Sequence, residues 1–362
     1  MIYLKDDCLE ISFPELQSNA GIRINFQRTL RIPDDEKTHS LPPGLGKFPL
    51  RHIEDFDLDK HNHLKERGGI IMPMFQAEAM WLNFDTIPSF DDMEYPIAVK
   101  IGTGKICAVS GESWNSTLNR HPQDYLVVPE QPWIDGYNVE KGKIKQFVAA
   151  PMGKGYTVEE QITGEADVGG LQIQVFPMKK EFYERLNEQR KQKLRERRER
   201  RERRAAMERE SAQFDDSRVM YSMEPPASCM ESPPVEMGLA PGGSMRQEIY
   251  EDPYDLEVWD LRKSQRCFVT IANADQWMSI TGEEPPISPI TAGEYTEAGL
   301  PWFEYYADDQ TAIEGAQLLG NIKSIKNITP TDGENIWPKE KSTFKAKLAW
   351  LTKRKVSAGK WP

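Results

Sequence analysis

Residues 179–210 constrain the fold of this chain more than any other stretch. They hold 14 Lys and Arg against 8 Glu, a charge of +6, so the total of −11 leaves −17 on the rest of the chain. Almost all are strong helix formers, and pairs such as Glu181–Arg185 and Glu196–Arg200 have the spacing that supports an isolated helix. Apolar residues are too sparse for a coiled-coil seam. The segment is therefore predicted to be a long charged helix surrounded by water.

A chain of 362 residues is long enough for two or three domains. Nine Trp, twelve Tyr and fourteen Phe provide enough aromatic side chains to build cores. The predicted class is α+β. Its parts are a β-rich domain at 1–178, the charged helix at 179–210, a flexible Pro-rich linker at 211–245, and a small α+β domain or docking segment at 246–362. In the docking alternative, the last part returns to the β-domain and completes its core.

Alternating apolar residues indicate strands in the first part. Leu9, Ile11 and Phe13 alternate with polar neighbours, as do Ile22, Ile24 and Phe26. A period of two places one face of a strand in a core. Further strands are predicted at 97–101, 106–108, 125–128, 144–149, 156–162, 171–176 and 267–271. Their spacing is typical of a sandwich or barrel-like domain.

Helical segments are also predicted outside the charged one. Met74–Phe84 follows Pro73 and contains no Gly, Pro or β-branched residue. Asn273 can cap a helix that runs through Trp277, and Thr291 with Glu294 fits a capping box. Asp308 or Asp309 can open a helix that carries Ile313, Ala316, Leu319 and Ile322.

The cysteines and the hydropathy pattern indicate the compartment. Cys8, Cys107, Cys229 and Cys267 are widely spaced in a long chain, which favours reduced, mostly buried thiols over a disulfide framework. No stretch reaches the roughly 18 apolar residues of a membrane span. The sequence predicts a soluble, cytoplasmic protein.

Histidines and glycine-rich turns give no clear metal or phosphate site. His61 and His63 lie in a polar stretch without the spacing of zinc ligands, so a solvated loop is favoured and neither metal nor cofactor is expected. The Gly153-Lys154-Gly155 sequence is predicted to be a hairpin turn rather than a phosphate-binding loop, which would lie between a strand and a helix.

The segment 123–137 contains the strongest enzyme pattern. Asp124, Glu130 and Asp135 flank Trp133 beside Gln131, and an aromatic platform with amides and carboxylates is typical of carbohydrate sites. The predicted binding neighbours are Lys154 and Tyr156. The alternative is that Trp133 belongs to the core and the polar groups cap the turns around two prolines. This structural alternative is favoured.

The run 195–204 contains seven Arg and three Glu, which also suggests contact with nucleic acid. The candidate phosphate contacts are Arg197, Arg198, Arg200 and Arg201. The interleaved Glu residues and the acidic remainder of the chain instead favour a helical spacer.

Several sequence strings resemble a family of conserved proteins of unassigned function, some of which are labelled integral membrane proteins. The strings are RTLRIPDD (28–35), LPPGLGKFPLRH (41–52), QDYLVVPEQPWIDGY (123–137), IKQFVAAPMGKGYTVEEQITG (144–164), GGLQIQVFPMK (169–179), GLAPGGSMRQEIYEDPYDLEVWD (238–260) and GLPWFEYY (299–306). The resemblance implies no reaction, substrate or cofactor, and the membrane label conflicts with the missing span.

The leading hypothesis is a non-enzymatic binding or assembly protein with a protein partner or self-association. The alternatives are a hydrolase that uses Asp124, Glu130 or Asp135 on a polar substrate, possibly a carbohydrate, and nucleic-acid association through the Arg-rich helix.

Overall fold

A computed structural model describes residues 1–35, 37–56, 62–88, 94–208, 236–286, 302, 310–328 and 354–357. The chain is rich in β-structure and adds several helices, which confirms the β-rich α+β class. Eighteen strands among these residues form one open, mostly antiparallel sheet. The finer form of a sandwich or barrel stays a prediction.

The strands follow one another along the chain with short connections in the first half. They are β1 (Ile2–Lys5), β2 (Cys8–Ser12), β3 (Gly21–Thr29), β4 (Thr38–His39), β5 (Gly44–Lys47), β6 (Arg51–His52), β7 (Ile70–Pro73), β8 (Ala79–Thr86), β9 (Ile97–Thr103), β10 (Ile106–Cys107), β11 (Leu126–Val128), β12 (Trp133–Ile134), β13 (Gly136–Glu140), β14 (Lys143–Pro151), β15 (Leu171–Pro177), β16 (Glu236–Arg246), β17 (Gln265–Ala272) and β18 (Arg354–Lys355). The helices are α1 (Asn62–Arg67), α2 (Val158–Thr163), α3 (Lys180–Glu208), α4 (Ala274–Thr281), α5 (Gln317–Gly320) and α6 (Ile325–Ile328).

The alternating pattern correctly predicted the early strands. Leu9 and Ile11 on β2 are fully buried, and they pair with Ile24 and Ile22 on β3. A hairpin joins the strands predicted at 97–101 and 106–108: Thr103 pairs with Ile106, and Gly104 turns the chain with a φ of 55°. A left-handed φ of this kind favours glycine.

The helix predicted at Met74–Phe84 is wrong, because most of this segment forms β8. Met80, Leu82 and Phe84 are buried on one face of β8 and pair with β3. Trp81 and Asn83 lie on the other face and are partly exposed. The period of two was therefore present, but the absence of Gly, Pro and β-branched residues favoured a helix.

Residues 236–245, predicted to be linker, form most of β16. This strand pairs with β14 along eight residue pairs, and its first two residues pair with Ile271 and Ala272 at the end of β17. A Cβ on Gly243 would lie 2.4 Å from the Pro33 carbonyl oxygen, so this glycine permits close approach of two backbones. Glycine and proline here belong to a strand rather than to a flexible connection.

β17 continues the same sheet. It pairs with β15 on one side and runs parallel to β7 on the other. The sheet thus joins residues 236–272 to strands of the first 178 residues. The predicted cap of α4 is confirmed, because the Asn273 side chain accepts a hydrogen bond from the Gln276 amide.

Two other predicted elements differ from the structure. The strand predicted at 156–162 is instead α2, which Thr157 and Glu160 open with a capping box. Ile313 lies outside any helix, and α5 contains only four residues. The predicted caps at Thr291 and at Asp308 or Asp309, and the linker 211–235, lie outside the described residues.

Candidate functional site

Asp124 lies inside the protein and pairs with one lysine. The Lys100 ammonium lies 2.6 Å from the carboxylate, and the two side chains are only 1% and 2% exposed. Lys100 also donates to Asn115 Oδ1 and to the Thr117 carbonyl, and the Asn119 amide donates to Asp124. Burial raises the pKa of Asp124 above its usual range. This enclosed pair holds the 115–124 loop on β9.

Glu130 belongs to a different contact. It accepts a hydrogen bond of 3.1 Å from the Tyr254 hydroxyl, and the Arg190 guanidinium lies 3.4 Å from the same hydroxyl. Burial raises the pKa of Glu130. Glu130 thus belongs to the contact between α3 and the rest of the fold.

Asp135 is enclosed by a third partner. Gln247 donates to its carboxylate at 2.9 Å and accepts from its backbone amide at 3.0 Å. Complete burial raises the pKa of Asp135 to about 7, against the hydrogen bonds from Gln247 and Trp133, which lower it. A carboxyl group titrating near neutrality can serve in acid–base chemistry, but this one is only 2% exposed.

Three glutamines explain why the 123–137 segment is so polar. Gln123 donates to the Tyr250 carbonyl and accepts from the Asp252 amide, while Gln131 accepts from the Tyr250 amide. Gln247 completes the set from the opposite segment. These side chains provide hydrogen-bond partners to backbone groups that have none from a neighbouring strand or helix turn. Sequence reasoning missed this role because the two segments are more than 100 residues apart.

The three carboxylates predicted as catalytic candidates therefore belong to three separate contacts. Asp124 binds Lys100, Glu130 binds Tyr254, and Asp135 binds Gln247. A glycosidase-type pair needs two carboxylates that face one substrate bond. Asp124 and Asp135 are almost without solvent contact, so their arrangement does not provide such a pair.

The predicted binding neighbours are also distributed. Trp133 lies edge-to-face with Trp81, with ring centroids 6.4 Å apart, and packs beside Ile32 and Ile144. Tyr156 packs against a separate cluster around Val148. Lys154 is exposed in a turn.

The Gly153-Lys154-Gly155 turn joins β14 to α2, so the predicted hairpin is wrong. A strand–turn–helix order is the one that binds phosphate in other proteins. Here the Glu160 carboxylate accepts hydrogen bonds from the Gly155 and Thr157 amides. The chain's own carboxylate thus occupies these donors, and α2 is only six residues long.

The first turns of α3 are fixed to the body. The rings of Tyr183 and Tyr95 stack with centroids 4.2 Å apart, and Tyr183 is only 3% exposed. Arg190 donates to the Glu94 carbonyl at 2.8 Å, and the Lys179 ammonium donates to the Glu257 carbonyl. These contacts define the helix root, residues 180–190.

Beyond the root, the described side chains of α3 are exposed from residue 192 onward. Every residue from 192 to 200 is exposed, including Arg197, Arg198 and Arg200, and Arg201 continues the helix. Residues 191–208, here called the outer helix, span about 27 Å at 1.5 Å per residue. Leu194, the one large apolar side chain between 191 and 200, is itself 52% exposed.

The described side chains of α3 include one ion pair at the predicted spacing, Lys180–Glu184 at 3.9 Å. The Arg185 guanidinium donates to the Glu181 carbonyl and lies 4.5 Å from the Phe182 ring centroid. Glu196 accepts from Gln192 at 3.0 Å. Lys193, Arg197 and Arg200 recur at spacings of four and three residues, which places them along one flank of the helix.

Comparison with known protein families, with curated proteins and with solved structures gives no match. The family resemblance of the sequence strings therefore stays a prediction. Within the described ranges, no helix is long and apolar enough to cross a membrane. Those same residues contain no group of three His, Cys, Asp or Glu side chains placed to hold a metal ion.

Proposed function

We propose that this chain is a non-enzymatic binding protein whose β-rich body presents the outer helix to an acidic partner. The observation that carries the proposal is the change along α3 from a fixed root to full exposure. Tyr183 and Arg190 hold the root, whereas residues 192–200 are exposed. A long charged surface fixed at one end is suited to contact a second macromolecule.

The charge of the outer helix supports an acidic partner. The outer helix contains nine Lys and Arg and four Glu, a charge of +5 on a chain whose total is −11. An acidic surface is attracted to this helix, and charge complementarity speeds encounter and selects the partner. A protein is favoured over nucleic acid, because Glu196 and Glu199 interrupt the basic run that a phosphate backbone would contact.

Free thiols support a reducing location. Cys8, Cys107 and Cys267 are unpaired, and burial raises the pKa of Cys8 to about 11 and that of Cys267 to about 12. Reduced cysteines of this kind are typical of the cytoplasm. We therefore place the binding function there. We do not propose a hydrolase, because Asp124 and Asp135 are each enclosed by a separate partner.

The test compares two triple variants of the full chain. One replaces Arg195, Arg197 and Arg200 with Gln, and the matched control replaces Glu188, Glu196 and Glu199 with Gln. Both keep strong helix formers in α3. Each protein is immobilised and exposed to nuclease-treated lysate from the source cells, and the retained proteins are quantified by mass spectrometry.

We expect one acidic protein to be retained by the wild type and the Glu control but lost from the Arg variant. Its retention should fall as the salt concentration rises, because exposed charges are screened. Equal retention by both variants, or retention independent of salt, would contradict the proposal. A partner that disappears on nuclease treatment alone would support nucleic-acid association instead.

A further inference from the structure

A cleft of about 440 Å³ lies on the body. The loop 120–123 forms one side and the segment 311–316 forms the other. Its volume falls within the roughly 300–1,000 Å³ of small-molecule sites. The cleft is built from parts of the chain that are nearly 200 residues apart.

Hydrogen bonds hold both sides in place. The Arg120 guanidinium donates to the carbonyls of Asp252 and Tyr254, the former at 3.0 Å. Across the cleft, the Glu251 amide donates to the Thr311 carbonyl at 2.7 Å, and the Ala316 amide donates to the Asn138 carbonyl at 3.0 Å. A side chain fixed in this way loses little freedom when a ligand binds.

Charges of both signs line the cleft. Arg120 lies 3.9 Å from Glu251, and Lys141 lies 3.5 Å from Glu314. These are long, partly exposed ion pairs, which contribute little to stability. The Arg120 guanidinium has five N–H donors. Two of its nitrogens donate to carbonyls, so donors remain that can bind a carboxylate. Its second acidic neighbour, Asp255 at 3.6 Å, is 86% exposed.

The other lining residues are both polar and apolar. Ser110, His121, Gln123 and Thr311 are polar. Ile313 and Ala316 are partly exposed apolar residues, whereas Val109 is only 1% exposed. This combination of apolar surface with placed polar and charged groups is typical of sites that bury a small ligand and fix its orientation.

We infer that the cleft binds a free apolar α-amino acid. A ligand with only a carboxylate would compete with Glu251 for Arg120 and leave Glu251 without a cation. An α-amino acid supplies a carboxylate to Arg120 and an ammonium group to Glu251, so each charge keeps a partner. Its side chain then covers Ile313 and Ala316. This site is independent of the outer helix.

Isothermal titration calorimetry of the full chain tests the inference with three probes. They are L-leucine, 4-methylpentanoate, which lacks the ammonium group, and 3-methylbutylamine, which lacks the carboxylate. We expect leucine to bind at least about tenfold more tightly than either analogue, since each charged contact contributes to affinity. Undetectable leucine binding, or equal affinities for the three probes, would overturn the inference.

A variant separates the two charged contacts. Glu251→Gln should weaken leucine binding by about tenfold and strengthen 4-methylpentanoate binding, because that carboxylate no longer competes with Glu251 for Arg120. The control Glu257→Gln changes an exposed carboxylate outside the described lining and should leave both affinities unchanged. Leucine binding that is unaltered by Glu251→Gln would refute the assigned contact, and the circular-dichroism spectrum of each variant verifies its fold.

Discussion

Replacing Asp135 with Asn should make the protein more stable above neutral pH and change little in acid. Burial raises the pKa of Asp135 in the folded state to about 7, against an ordinary value of 3.8. Between pH 3.8 and about pH 7, Asp135 is therefore protonated in the folded protein but ionised in the unfolded chain. The carboxyl group therefore lowers the free energy of unfolding as the pH rises from about 4 through 7, and the full cost is present above 7.

The pKa difference sets the size of the effect. A difference of one pKa unit corresponds to about 1.4 kcal/mol, so the shift from 3.8 to about 7 amounts to roughly 4 kcal/mol. Asn cannot ionise, but it loses the hydrogen bonds to a charged acceptor, which contribute about 1.5–3 kcal/mol. We expect the variant's stability relative to the wild type to be about 2–4 kcal/mol more favourable at pH 8 than at pH 5.

Urea denaturation at pH 5, 6.5 and 8 measures this difference, because the titration of all other groups cancels between wild type and variant. The control is Asp167→Asn, an exposed carboxylate whose pKa is lowered by its hydrogen bond from Lys105. It should show no gain on going from pH 5 to pH 8. An Asp135→Asn difference that is flat across the three pH values would refute the account of Asp135 as a proton-holding buried group.

Three further perturbations test the fold around the site. Lys100→Met leaves the Asp124 carboxylate in the interior without a cation, so urea denaturation should show a free energy of unfolding lower by about 3–5 kcal/mol. Adding Asp124→Leu should restore part of this loss. An unaltered midpoint would contradict the buried pair. Gly243→Ala forces a methyl group toward the Pro33 carbonyl and should cost about 1–3 kcal/mol, and a neutral effect would count against β16 as placed. Tyr183→Ala should speed hydrogen exchange in the helix root but not in β15, and equal rates in wild type and variant would show that the Tyr95–Tyr183 contact does not anchor α3.

Local patterns predicted the parts of the fold that depend on neighbouring residues. The alternation in β2 and β3, the Gly104 turn and the Asn273 cap follow from backbone geometry within a few residues. Met74–Phe84 was misassigned because its composition suits a helix, while pairing with β3 favours a strand. Here tertiary contact outweighed intrinsic preference.

Long-range pairing was the main feature that the sequence did not reveal. The prolines and glycines of residues 236–245 suggest a linker, yet Gly243 permits β16 to approach Pro33. The polar residues around Asp124 and Asp135 suggested an active site because their partners, Lys100 and Gln247, are distant in sequence. A carboxylate and the amide that encloses it cannot be matched without knowing which segments meet.

The most direct measurement of the central claim is the distance between nitroxide labels at the two exposed positions Glu184→Cys and Arg200→Cys, in a chain with Cys8 and Cys229 changed to Ser. A continuous α3 places the two Cα atoms about 24 Å apart at 1.5 Å per residue. Double electron–electron resonance should give one narrow distribution consistent with that separation, allowing for the label side chains. A broad distribution, or a markedly shorter mean, would contradict a helix that is fixed at its root and extends outward as a contact surface.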